Sequence, residues 1–120
     1  MAIPYEKTWQ AVAGLNGFMA IAMGAAAAHA IADAHLAALA EKASYYQLIH
    51  AVLLLWLARQ SGKIFGLVRM AMLTGIVFFC GTLYCKALTG MATTALAPLG
   101  GISFMVGWLL IVAASYRTEQ

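Results

Sequence analysis

The residues of this chain that could do chemistry are few: three histidines, two cysteines and a handful of amide and phenol groups, in a sequence with only four acidic side chains. His50 closes the stretch YYQLIH (45–50) and leads straight into the apolar run AVLLLWLA. Tyr46 lies four residues before His50 and Gln47 three before it, spacings that set all three on one face of a helix. His29 follows a run of alanines in GAAAAHAI, and Asp33 and His35 come just after it. An imidazole in an apolar segment has three uses open to it. It can tie two helices together by hydrogen bonds. It can ligate a metal ion or haem iron, with His29 and His50 as the candidate pair. It can also move a proton or contact a solute, since imidazole titrates near pH ~6.5. His35, on a surface turn beside Asp33, reads as solvated. Cys80 and Cys85 are five residues apart, about 140° of helical rotation, so they point to different faces and fit neither a disulfide nor a common zinc motif. Neither has a neighbouring base, so a cysteine nucleophile is disfavoured.

The elements that position these groups are apolar. Hydrophobic residues make up 64% of the chain and charged residues 9%, against roughly 45–50% and about 25% in an average soluble domain. A surface so poor in charge belongs in a lipid bilayer. Crossing its hydrocarbon takes about 20 apolar residues in a helix. Residues 9–32, 67–88 and 96–116 meet or approach that length. Residues 43–58 are too short alone, but Asp33 is a suitable N-cap, and Leu36, Leu39, Ala43, Tyr46, His50 and Leu54 keep a helical spacing. The sequence therefore predicts one helix over 34–58 whose first turns lie at the membrane surface. The apolar stretch of the first segment exceeds the roughly 7–15 residues of a secretory signal core, which marks it as an anchor that stays. The expected fold is all-α: a single transmembrane domain over residues 1–120, built as an integral membrane four-helix bundle.

Lys and Arg set the orientation. Lys7, Arg59, Lys63, Arg69 and Arg117 lie on the side of the two termini and the middle loop, against Lys42 and Lys86 on the other, so the positive-inside rule predicts cytoplasmic N and C termini. Trp9, Trp56 and Tyr116 then fall near the inner interface and Tyr45, Tyr46 and Tyr84 near the outer one, with Lys86 snorkelling to the headgroups. On this topology His29, Asp33, His35, Tyr46, Gln47 and His50 all occupy the outer half. Helices in lipid associate through small residues, which assigns packing roles to Ala20, Gly24 and Ala28 in the first span and to Ser103 and Gly107 in the last. Asn16 is expected to bond to a neighbouring helix, and the result to be a tight bundle rather than a pore. Pro98 suits a first helical turn. Gly100 and Gly101 suggest a close backbone contact or an unusual turn. No basic stripe points to nucleic acid.

Four motifs, GAAAAHAI, YYQLIHAVLLL, FFCGTLYCKALTG and APLGGISFMVGW, resemble in order and spacing the small bacterial inner-membrane proteins filed as domain of unknown function 423, which have eukaryotic relatives. The likeness runs over residues 9–116. It places the family's histidine closing span one at His29, its tyrosine-glutamine-x-x-histidine at Tyr46, Gln47 and His50, and its proline-leucine-glycine-glycine at Pro98 to Gly101. Its glycine-tryptophan falls on Gly107 and Trp108. The aromatic-serine-glycine motif falls on Phe79 to Tyr84, through Gly81, with Cys80 and Thr82 where the family has serines. Ala26 and Ala27 stand where members often have phenylalanine and glycine. The resemblance implies a four-helix membrane fold and supplies no activity. The leading expectation is a non-enzymatic scaffold or accessory subunit that partners the lipid bilayer and either a second copy of itself or another membrane protein. The alternatives are a metal or haem protein ligated by His29 and His50, and a small solute or proton-linked transporter.

Overall fold

Alanine is the best helix former, and 24 residues of the alanine-rich first segment form α1 (Glu6–His29). A tight turn follows, in which the Asp33 carboxylate accepts a 2.9 Å bond from the Leu36 amide and caps α2 (Ala34–Leu57). The third rod runs through α3 (Lys63–Gly75), a π-helical segment (Ile76–Gly81) and α4 (Thr82–Thr89). It stops at Gly90, whose φ of 75° is the left-handed conformation that glycine tolerates. A short 3₁₀ turn (Thr94–Leu96) leads into α5 (Ala97–Ser115), with Pro98 in its first turn as the sequence predicts. The computed structural model describes residues 5–117, in which every regular element is helical and no strand occurs.

Three of the rods, Glu6–His29, Lys63–Thr89 and Thr94–Ser115, are long and apolar enough to cross a membrane. α2 is as long as α1, 24 residues, or about 36 Å at 1.5 Å per residue. Its Glu41, Lys42, Gln47 and His50 dilute its hydropathy. It lies antiparallel to α1, with Gly17 facing Ala51 and Gly24 facing Ser44. The facing stripes are Ala13, Gly17, Ala20, Gly24 and Ala27 on α1, and Ala40, Ser44, Gln47, Ala51, Leu54 and Ala58 on or just past α2. Both keep the alternating three- and four-residue spacing of a coiled-coil seam. Of the alanines closing α1, Ala27 is buried in this stripe and Ala28 is exposed, because a 3.5-residue repeat keeps a stripe on one side of the helix.

α5 runs antiparallel to α3 through Gly100, Phe104 and Gly107. A Cβ on Gly100 would overlap the backbone of Phe78 and Phe79, and one on Gly107 would lie 2.7 Å from the Met72 methyl. Gly101 has open space beside it. Of the two glycines, Gly100 makes a close approach to another backbone and Gly101 does not. Gly81 likewise packs against no neighbouring helix. The Ser103 hydroxyl donates to the Ala71 carbonyl at 2.7 Å and ties the same two rods.

α2 is the hub: it touches α1 on one flank and α3, the π segment and α4 on the other, while α5 packs on α3 and the π segment. The described chain measures 52 × 25 × 16 Å. Clefts open between the rods, the one between α2 and α5 among them. Both described ends meet the α2–α3 turn: Glu6 pairs with Arg59 at 3.2 Å, and Ala114 and Arg117 share a cleft with Ser61 to Phe65.

Candidate functional site

Gln47 lies one turn before His50 on α2 and is 1% exposed. Its amide nitrogen donates to the Asn16 side-chain oxygen at 2.9 Å, and its amide oxygen accepts the Tyr84 hydroxyl at 2.6 Å. Asn16 in turn donates to the Val12 carbonyl of its own helix. One glutamine therefore joins α1, α2 and α4, and the cross-helix bond expected of Asn16 is present. Tyr84 corrects the expected aromatic belt: it is 8% exposed and faces inward. The cause is the π segment before it. An extra residue in a turn rotates every later residue of the rod by about 100° relative to an uninterrupted α-helix.

His50 looks the other way, towards α5. The Trp108 indole N–H donates to His50 Nε2 at 3.1 Å. An indole can only donate, so Nε2 is the acceptor, and Nδ1 carries the hydrogen that it gives to the Tyr46 carbonyl at 2.6 Å. The ring lies over Phe104 with centroids 3.8 Å apart and planes 15° from parallel. Gly75 makes room for Phe104, since a Cβ there would overlap that ring. This neutral tautomer has both nitrogens satisfied. His50 is eight residues from Lys42 and nine from Arg59, about 12 and 14 Å along the helix, midway between these two charges.

Beside this imidazole is a cleft of about 540 Å³ between α2 and α5, lined by Tyr46, Phe79, Pro98, Gly101, Trp108 and the edge of His50. Ile102 and Met105, exposed on the outer surface, flank it. The bare backbone at Gly101 leaves it open. Gln47 ties α2 to α1 and α4, whereas His50 ties it to α5. A second cleft, of about 300 Å³, opens where α1 stands off the π segment, between Asn16, Gln47, Cys80 and Tyr84.

His29, in the last turn of α1, is exposed. The antiparallel register sets it level with Leu39, eleven residues from His50, or about 16 Å along the axis. His50 also faces α5 and not α1. The structure does not bring the two histidines together as ligands of one metal ion or haem, and among the described residues no three His, Cys, Asp or Glu side chains cluster as a metal site. His35 and Asp33 stay at the surface turn. Cys80 is fully buried and Cys85 partly so, and both are free.

Arg69 is the residue that sequence reasoning misplaces. Counted as a loop charge, it lies two turns inside α3 at 4% exposure. Its Nη1 donates to the Leu57 and Gln60 carbonyls at 2.8 and 3.0 Å, which satisfies the end of α2 where the helix dipole is negative. The Tyr5 and Trp9 rings cover it at 4.4 and 5.7 Å, and the Tyr5 hydroxyl donates to the Gln60 carbonyl at 3.0 Å. The aromatic pair near the chain start is the signal in the sequence that could have found it.

Residues 23–101 match the family model described as "Protein of unknown function (DUF423)". The UPF0382 membrane protein SSP2132 of Staphylococcus saprophyticus is 36% identical over 92% of this chain and 98% of its own. The UPF0382 inner membrane protein YgdD of Escherichia coli K12 is 31% identical over 90% and 88%, and a UPF0382 membrane protein of Haemophilus influenzae is 28% identical over 96% and 98%. No solved structure matches.

Proposed function

This chain belongs to the DUF423 family of membrane proteins, and from that premise we propose that it crosses the cell inner membrane four times, with both termini cytoplasmic, as a non-enzymatic scaffold or accessory subunit. One observation carries this reading. The polar side chains buried midway along the rods are spent on each other: Asn16, Gln47 and Tyr84 in one chain of bonds, and His50 and Trp108 in another. Such pairs hold helices in register and leave the outward apolar face for lipid or another membrane protein.

α2 serves as the fourth span because it lies antiparallel along α1 and turns Ser44, Gln47 and His50 inward. The excess of Lys and Arg at the end carrying the termini supports the orientation. Gentle extraction with in-membrane cross-linking tests the role. A stoichiometric complex with a second copy or one other membrane protein is the expected result; a chain that stays monomeric and unlinked in its native membrane overturns it.

The cleft beside His50 favours a second reading, a site for a small lipid-soluble molecule. Its volume falls within the roughly 300–1,000 Å³ of ligand pockets, and its lining is largely aromatic with one convergent polar pair. Organic extraction of protein purified from its own membrane checks this. A molecule recovered from the parent and lost from Gly101→Leu, which fills the cleft, supports the reading; equal recovery from both removes it.

A further inference from the structure

We propose that the end of the molecule carrying the termini holds one anionic phospholipid headgroup, seated on Lys63 and Arg117. A cleft of about 390 Å³ lies there between the α2–α3 turn and the end of α5, with Ser61, Gly62, Lys63 and Arg117 on its polar side and Phe65 and Ala114 on its apolar one. Phe65 and Ala114 are buried, at 7% and 1% exposure, whereas Lys63 and Arg117 are exposed.

Neither cation has an acidic partner among the described residues. Glu6 is taken by Arg59 at 3.2 Å, and Asp33 and Glu41 belong to the far half of α2. Two like charges from different elements therefore converge on one concavity with no group of opposite sign between them among the described residues. A phosphate diester answers both, taking two parallel bonds from the Arg117 guanidinium and a point charge from Lys63.

The rest of the surface identifies the anion as the head of an amphiphile. α3 and α5 run antiparallel, with Gly107 against Met72, so Lys63 stands level with the end of α5. Below the cleft, Leu67 and Val112 lie level with each other and are 60% and 54% exposed, an apolar track for an acyl chain. A free phosphate would use the cations and leave that track idle. The site depends on the helices crossing the bilayer and not on a scaffolding role, so it stands if no protein partner is found.

Native mass spectrometry of the full chain, released from nanodiscs of mixed phosphatidylglycerol and phosphatidylcholine, reads the site directly. The parent is expected to retain one phosphatidylglycerol. The double variant Lys63→Gln/Arg117→Gln should lose it at least tenfold, while Lys42→Gln/Lys86→Gln, at the opposite end, retains it as the parent does. Inorganic phosphate at millimolar concentration should not compete. Equal retention of phosphatidylglycerol by parent and double variant, or equal retention of phosphatidylcholine by the parent, overturns the proposal. Displacement by inorganic phosphate would assign the cleft to a soluble anion and overturn it too. Lys63→Arg, which keeps the charge and the fold, should retain the lipid, and its loss there would equally count against the site.

Discussion

The α1/α2 pair and the α3/α5 pair are both antiparallel and both built on small residues, yet they solve different problems. Along α1/α2 the contact is a regular stripe of Ala and Gly, and its polar content is concentrated in Gln47, which reaches Asn16 and Tyr84. Along α3/α5 the contact is tighter at its glycines. Gly75, Gly100 and Gly107 each face atoms that leave no room for a Cβ, and the π segment opposite Gly100 interrupts the helical period. The first pair is a seam; the second is a seam with an aromatic-lined cleft at its edge. The regular α1/α2 seam carries a groove of about 200 Å³ beside Gly14 and Gly17, and the interrupted period goes with the larger cleft of about 540 Å³.

Substitutions can break that contrast. The largest effect is expected at Gly100→Ala, whose methyl would overlap the Phe78–Phe79 backbone and cannot be absorbed by a flexible side chain. It should cost about 3 kcal/mol, seen as a clear drop in melting temperature in detergent. Gly101→Ala, one residue along and facing open space, should change it by less than about 0.5 kcal/mol. Equal effects of the two would mean that α5 is rotated relative to this structure.

Gln47→Leu comes next. It leaves the Asn16 oxygen and the Tyr84 hydroxyl without their partners and should destabilise by about 1–2 kcal/mol, measured by urea or thermal unfolding in micelles. Tyr84→Phe should cost less than Gln47→Leu, since it breaks one of the two bonds.

Trp108→Phe removes the indole N–H that donates to His50 Nε2 and should cost about 1 kcal/mol. Indole fluorescence reports the same bond without unfolding: His50→Leu should shift the emission of Trp108, read in a variant with Trp9 and Trp56 replaced by Phe. Unchanged emission would detach the indole from the imidazole.

The smallest perturbation sharpens the α1/α2 register. A Cβ on Gly17 would stand 3.9 Å from that of Ala51, within the roughly 3.5–4.5 Å of a disulfide. In a background with Cys80 and Cys85 replaced by Ala, Gly17→Cys/Ala51→Cys should close an intramolecular bond under mild oxidation with little change in stability. Dimers in place of a closed monomer would contradict the register.

The legibility of the fold in the sequence divides along the same line. The helices, the Asp33 cap, Pro98 in the first turn of α5 and the cross-helix bond of Asn16 all come from local rules acting on unbroken helices. Tyr84 and Gly101 depart from expectation past or opposite the π segment, where the period on which sequence reading depends is reset. Arg69 departs because its partners, two backbone carbonyls and two rings from a distant part of the chain, leave no local trace. His29 and His50 look like a pair in the sequence because linear spacing says nothing of antiparallel register, which separates them by about 16 Å.

A four-span arrangement requires α2 to cross the bilayer beside α1 even though its hydropathy falls below that of the other rods. Its ends can be interrogated in intact cells lacking the native cysteines, with Asp33→Cys and Ser61→Cys as single reporters for a membrane-impermeant maleimide. Labelling of position 33 from outside, with position 61 labelled only after the membrane is opened, is the predicted result. Labelling of both positions from the same side would contradict it.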